Sequence, residues 1–336
     1  MDRVYQWKAI EGSFSSGLVL GNGSSIAFDP GFAYSSLKEM AVDRGLITAD
    51  VHRVFSHLGS DDFELVMRML WHASQINEAL ELEDTRTSEA YSSVRDALIA
   101  VIRATHVPFG AVSERLPLAA DFMSHFSTVI SLSYDLLVYW SILAANDERA
   151  NRFKDCFINR EFRQDWRWFR TPYGQNRAST LVFYPHGNLA LAATLSGAEY
   201  KIQVEGDALL ETVFDHWRND STPLFVSEGT TEQKRAAIRR SPYLSTVYDE
   251  VLRELGESVV VLGWSASEND SHLLDAICRG QTRRFALAVD PSSNRLAEDQ
   301  AKVRRRLEEL LGGDQGEVIF FDWHSPSCWI NAESGT

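Results

Sequence analysis

The amino-acid sequence predicts an α/β fold: a mostly parallel sheet covered by helices on both faces, with one helical insertion. Three observations predict it. Runs such as Val259-Val260-Val261-Leu262 are apolar without alternation, the pattern of strands buried on both faces. Amphipathic helical patterns lie between most of these runs, the alternation that builds parallel sheets. Several runs stop abruptly at glycines, hydroxyls or carboxylates, as strands do where they enter functional turns.

In chain order, Gly17–Leu20 reads as a first buried strand that stops at Gly21-Asn22-Gly23-Ser24-Ser25. From 40 to 125 the spacing turns helical. Phe63, Val66, Met67 and Leu70 share one face, Leu80 and Leu82 continue the segment, and Ala90, Val94, Leu98, Val101 and Ile102 repeat after Thr85, a candidate cap. This is the insertion, set within a single domain of residues 1–336. Strand-like runs return at 128–133, 180–184, 189–194, 224–226, 258–262, 285–289 and 318–321. Helical patterns occupy 207–218, 232–240, 243–255, 270–279 and 294–311, which makes the whole Rossmann-like. The least regular stretch, 160–177, is dense in Arg, Trp and Phe and reads as a substrate-side loop or a packed Ω-like loop.

Composition narrows the function. Hydrophobic residues make up 44% and charged residues 24%, ordinary for a globular chain. Its 33 Lys and Arg against 47 Asp and Glu give a formal charge of −14, so the average surface repels a phosphate backbone and no direct nucleic-acid partner is expected. Cys156, Cys278 and Cys328 are widely spaced, which suits a reducing cytoplasm. The first residues lack the apolar core of a signal peptide, and the most apolar long run, 129–145, is broken by Asp135, so neither export nor a membrane span is expected. No GxxxxGK[ST], HExxH, GxSxG or zinc-ligand spacing occurs, and no metal is predicted.

Five places carry candidate chemistry. Gly21, Asn22, Gly23, Ser24 and Ser25 form a small-residue turn that admits a pyrophosphate to backbone amides, or is a plain strand-to-helix turn. Ser133 and Asp135 stand at the end of an apolar strand, where ligands of open parallel sheets bind; Asp135 capping the next helix is the alternative. His186, in Tyr184-Pro185-His186-Gly187, leaves one strand-like run before another and offers a proton acceptor near pH 7, or is a structural histidine. Gly263 and Ser265 follow the run 258–262 and reach a ribose or phosphate, unless Ser267 or Asn269 merely caps the next helix. Asp290 ends a later run, facing a ribose hydroxyl or opening an ordinary turn.

Taken in order, LGNGSS, SLSYD, PHG and VVVLGWSASEND resemble the sirtuin-like superfamily, in particular bacterial sirtuin-like proteins that cleave NAD in anti-phage defence. The resemblance implies an NAD pocket with NAD as substrate and no metal. Gly21, Asn22, Gly23 and Ser24, with Ser25 nearby, match the GAG-type loop at the diphosphate; Gly263 and Ser265 match the GTS-type turn at the adenosine ribose, and Asp290 lies toward the adenine end. His186 matches the histidine of the HG motif, the general base, and Asp135 the acid of the NxD-type motif. Where the family has asparagine in that motif, this chain has Ser133, shorter by an amide. The implied function is nicotinamide–ribose cleavage by an oligomer, alone or with a defence partner such as a HerA-type ATPase, an Argonaute-like protein or another sensor. The alternative is a weakened or inactive subunit that binds NAD or ADP-ribose as a sensor or scaffold. Protein deacylation is not expected, because the zinc ribbon of true deacylases needs four cysteines and this chain has three, scattered.

Overall fold

A computed structural model of the chain describes residues 2–33, 36–149, 152–172, 180–194, 196–203, 208–219, 221–226, 230–266, 270–312 and 316–333. The fold is α/β and Rossmann-like, with 12 α-helices and a large parallel sheet among the described residues. Its strands are β1 (Val4–Tyr5), β2 (Gly17–Leu20), β3 (Thr128–Ser131), β4 (Phe153–Lys154), β7 (Thr180–Phe183), β11 (Ser258–Leu262), β12 (Arg284–Val289) and β13 (Glu317–Asp322). They lie in the order β1-β13-β12-β11-β2-β3-β7-β4, every neighbouring pair parallel. After β2 the chain builds outward through β3 to β7, then returns to β11 on the opposite side of β2 and builds outward again. The sheet therefore reverses direction between β2 and β11, with Leu20 opposite Leu262. Strands β2, β3, β7 and β11 are buried from end to end, which is why they read as unbroken apolar runs.

Between β2 and β3 lie α1 (Asn22–Ile26), α2 (Leu37–Asp43), α3 (Ala49–Leu58), α4 (Phe63–Ala79), α5 (Arg86–Thr105) and α6 (Leu116–Met123). Ser36, Thr48 and Asp62 cap α2, α3 and α4 through their side chains. Thr85 stands at the N-cap position of α5 without a side-chain capping bond; Asp84 accepts from the Arg86 amide instead, at 3.0 Å. The buried faces of α4 and α5 carry the predicted Val66, Met67, Leu70, Val94, Leu98, Val101 and Ile102. Leu80 and Leu82 are exposed, because α4 ends at Ala79 and the chain turns away.

The predicted runs at 189–194 and 224–226 lie outside the parallel sheet. They are β8 (Gly187–Thr194) and β10 (Ser221–Phe225), which pair antiparallel, with β9 (Glu199–Lys201) beyond β8. Both are largely buried, and burial alone cannot reveal pairing direction. Of the remaining helices, α8 (Leu209–Arg218), α9 (Thr231–Arg240), α11 (Ser271–Cys278) and α12 (Leu296–Leu311) occupy predicted intervals. Helix α10 (Pro242–Asp249) fills the first half of the interval 243–255 and gives way to a 3-10 turn at Val251–Glu254, and α7 (Leu137–Arg149) lies outside every predicted interval. The stretch after residue 156 forms a hairpin, β5 (Phe157–Ile158) and β6 (Glu161–Phe162), then a short helical turn with Trp166 buried. Arg170 donates to Thr128 Oγ1 at 2.9 Å, tying this stretch to the amino end of β3, the end away from Ser133; residues 173–177 of the predicted loop lie outside the described residues. Among the described residues, no helix is long and apolar enough to cross a membrane.

Candidate functional site

Parallel strands place all their carboxyl ends on one rim, and four neighbours deliver the candidate residues together. Gly263 follows β11, Gly21 follows β2, Ser133 follows β3 and His186 follows β7. All four line a cavity of about 230 Å³, together with Asn22, Ser265, Trp264, Lys234 and Asp270. The cavity sits where the strand order reverses, the place at which open α/β sheets bind ligands.

The glycines hold this crevice shut at backbone level. Gly21 and Gly23 donate their amides to the carbonyls of Leu262 and Gly263 at 2.9 and 2.8 Å, and Ser24 donates to Gly21 at 2.9 Å. A Cβ on Gly263, whose φ is +70°, would lie 2.2 Å from the Ser24 nitrogen. Only glycine fits that position, for conformation and for space. The same bonds occupy three amides that the sequence reading assigned to a diphosphate.

Asp135 does not line the cavity. Its Oδ2 accepts from Ser25 Oγ and Ser133 Oγ, each at 2.5 Å, and its Oδ1 accepts from the Leu137 amide at 2.8 Å, capping α7. The carboxylate is thus the buried hub that joins the turn after β2 to the end of β3. Ser24 is also buried and faces inward, with Oγ on the Gly21 carbonyl at 2.7 Å. Ser267 and Asn269, the alternative caps of α11, lie outside the described residues.

His186 is buried at the tip between β7 and β8. Its Nε2 lies 3.3 Å from Nε2 of His272. Between two neutral imidazoles one Nε2 donates to the other, and His272 Nδ1 is buried without a partner among the described residues. Burial, then the Lys234 charge, holds His186 well below the ordinary histidine range, against the pull of Asp270. Burial likewise pushes His272 down to about 4. Lys234 Nζ donates to Asp270 Oδ1 at 2.7 Å, and the same oxygen lies 3.9 Å from His186 Nε2.

A second cavity of about 330 Å³ adjoins the first across Trp264 and Ser265, which line both. Asp290 stands in it, with Ser293, Asp299 and Lys302. The Asp290 carboxylate accepts from the Ser292 amide at 2.8 Å and from Ser292 Oγ at 2.6 Å, an Asx turn that lowers its pKa. Sequence reasoning missed Lys234, Asp270 and His272. Their stretches, Thr-Glu-Gln-Lys-Arg and Glu-Asn-Asp-Ser-His, look like the solvated starts of helices, and only the tertiary position of α9 and α11 buries them.

The fold and rim define a class: parallel α/β proteins with a ligand-sized cavity at the topological switch point. The chain belongs to the family described as a domain of unknown function, DUF4917, which matches residues 18–329. No curated protein matches it.

Proposed function

We propose that this rim binds NAD and cleaves its nicotinamide–ribose bond. The observation that carries the reading is the pair of cavities meeting at Trp264 and Ser265, one holding a neutral, buried histidine and the other a carboxylate. Two compartments joined at a narrow waist suit a ligand of two nucleosides joined by a diphosphate. In this reading the adenosine lies beside Asp290 and the nicotinamide ribose beside His186 and Ser133. The bond breaks through a cationic, oxocarbenium-like sugar, and nicotinamide leaves as a neutral molecule. The protein therefore orients the sugar and need not protonate the leaving group. His186 Nε2 takes the proton of the attacking water once His272 releases it, and the hydroxide adds to the anomeric carbon.

The resemblance of LGNGSS, SLSYD, PHG and VVVLGWSASEND to bacterial sirtuin-like defence proteins extends the proposal to an anti-phage effector acting in the cytoplasm. Unrestrained NAD loss would kill the host cell, so the competent state has to be rare until assembly, with itself or with a partner defence protein, shifts the population. The test incubates the purified chain with NAD over a range of protein concentrations and quantifies nicotinamide and ADP-ribose by chromatography. The expected result is release that His186→Ala lowers at least about a hundredfold, the scale of losing a general base. Release unchanged by His186→Ala removes that residue from the mechanism.

One observation favours a second reading, a sensor that binds NAD or ADP-ribose without turnover. The Ser133 hydroxyl is committed to Asp135, and Ser133 stands where the family resembled has an asparagine. Binding by calorimetry without nicotinamide release, with release appearing in Ser133→Asn, selects the sensor.

A further inference from the structure

The cavity at the rim has to balance the charge of whatever it binds. Among the described residues its lining holds one lysine, Lys234, and one carboxylate, Asp270. Lys234 comes from α9 rather than from a strand end, and its side chain is only 9% exposed. One ammonium proton meets Asp270 at 2.7 Å, and the other two have no partner among the described residues. The turn after β2 is a poorer anion cradle, because three of its amides, those of Gly21, Gly23 and Ser24, are already bonded to carbonyls. In a chain of net charge −14, a buried cation facing a cavity needs a reason beyond solubility.

We infer that Lys234 is the anion anchor of this cavity, taking a phosphoryl oxygen of a phosphorylated nucleotide, and that Asp270 latches it when no anion is bound. The inference rests on reading the cavity as a nucleotide site and does not depend on bond cleavage. A diphosphate brings two charges to an ammonium held by one carboxylate oxygen, so the ammonium swings to the stronger acceptor in a site of low dielectric. The swing also offsets the Lys234 charge that acts on His186, so the imidazole becomes more basic when ligand arrives.

The experiment measures binding of ADP-ribose, inorganic pyrophosphate and adenosine to the full chain by calorimetry. It compares the native protein with Lys234→Met, Lys234→Arg and Asp270→Asn, with circular dichroism melting to show that each variant is folded. Lys234→Met is expected to weaken ADP-ribose about tenfold or more, the scale of a hydrogen bond to a charged group, and to leave adenosine unchanged. Lys234→Arg restores most of the loss. Asp270→Asn, which removes the latch and a repelling charge, tightens ADP-ribose several-fold, a gain that a merely structural role for Lys234 would not produce. Pyrophosphate binding that follows the same pattern assigns recognition to the diphosphate alone; pyrophosphate too weak to detect, with the ADP-ribose pattern intact, assigns it to a nucleotide-borne diphosphate. Equal weakening of ADP-ribose and adenosine, unchanged ADP-ribose affinity in Lys234→Met, or no ADP-ribose binding by the native chain overturns the inference. Nicotinamide release together with unchanged ADP-ribose affinity in Lys234→Met removes this inference and leaves the proposed reaction standing. Charge-selective loss without any nicotinamide release does the reverse.

Discussion

The rim between β2 and β11 and the junction of α4 with the small sheet both bury groups that carry charge in water, and they do so with opposite sign. At the rim the groups are imidazoles, His186 and His272; at the junction they are carboxyls, Asp62, Glu64 and Glu199. Burial disfavours the charged form in both, pushing the rim's imidazoles toward losing a proton and the junction's carboxyls toward keeping one, while the rim also holds the Lys234–Asp270 ion pair. The rim is also where backbones approach so closely that Gly263 admits no side chain, whereas the far end of α4 leaves Ile76 and Leu80 more than half exposed. One region is over-determined by its neighbours and the other has slack. In the proposed reaction the neutral imidazole of the rigid crevice is the proton acceptor, and slack suits contact with other molecules.

The largest effect that tests this contrast is Gly263→Ala. The new methyl would need a positive φ and would sit 2.2 Å from the Ser24 nitrogen and 2.6 Å from the Gly23 carbonyl carbon, atoms of backbone that cannot rotate away. Combining the left-handed penalty with overpacking gives a loss of about 3 kcal/mol or more, read as a fall in the urea midpoint. A loss under about 1 kcal/mol would mean that the crevice relaxes easily, and the rim would not be the rigid half of the comparison.

Much of the rim was legible in the sequence for a topological reason. Each apolar run that stops at a polar or glycine turn marks a strand end, and a parallel sheet gathers those ends onto one rim. Gly21, Ser133, His186 and Gly263 meet although they are scattered over more than 240 positions, because β11, β2, β3 and β7 are neighbours. What each residue does there was less legible. Asp135 reads as a strand-end acid facing a ligand, but its carboxylate holds Ser25 and Ser133, a link across 110 residues that no local pattern announces. Lys234 looks like one charge among several at the start of a helix; its burial depends on which side of α9 meets the rim. The small sheet was hidden because the apolar parts of β8 and β10, residues 189–192 and 224–225, are buried like parallel strands and carry no mark of pairing direction. The two-residue strands β1 and β4 are too short to show any period.

The middle-sized effect is a stability profile whose two limbs come from the two regions. Below pH 6.5, the ordinary histidine value, the unfolded chain takes protons that His186 and His272 refuse, so the rim loses stability as pH falls, down to about 4 for His272. His106 adds to this limb. It is also held down by burial, and its Nε2 accepts from the Leu136 amide, a bond that a protonated ring cannot keep. Burial raises Glu64 to about 8 against the pull of Arg68, so there the folded chain binds the proton first. Its contribution is complete at low pH and is lost as pH rises through about 8. Each unmatched proton changes stability by about 1.4 kcal/mol per pH unit, so the melting temperature peaks near neutrality. Melting curves from pH 5 to 9 check this. Glu64→Gln should flatten the alkaline limb and His272→Gln part of the acid limb; an alkaline limb unchanged by Glu64→Gln would dissolve the opposition of sign.

The smallest effect belongs to the exposed end of α4. Ile76 and Leu80 are 58% and 64% exposed, so replacing either with serine removes little apolar surface from burial. The change in stability of the free chain should stay within about 0.5 kcal/mol, measured by urea unfolding in dilute protein. Met67→Ala on the buried face of the same helix should instead cost about 2 to 5 kcal/mol, because it opens a cavity among Phe63, Val66 and their neighbours. The informative result is disagreement at the exposed positions. If Leu80→Ser or Ile76→Ser costs more than about 1 kcal/mol, and the cost grows with protein concentration, those side chains are covered in solution by another copy of the chain. The slack region would then be an interface, and the assembly proposed to control the rim would have its contact on the helical insertion.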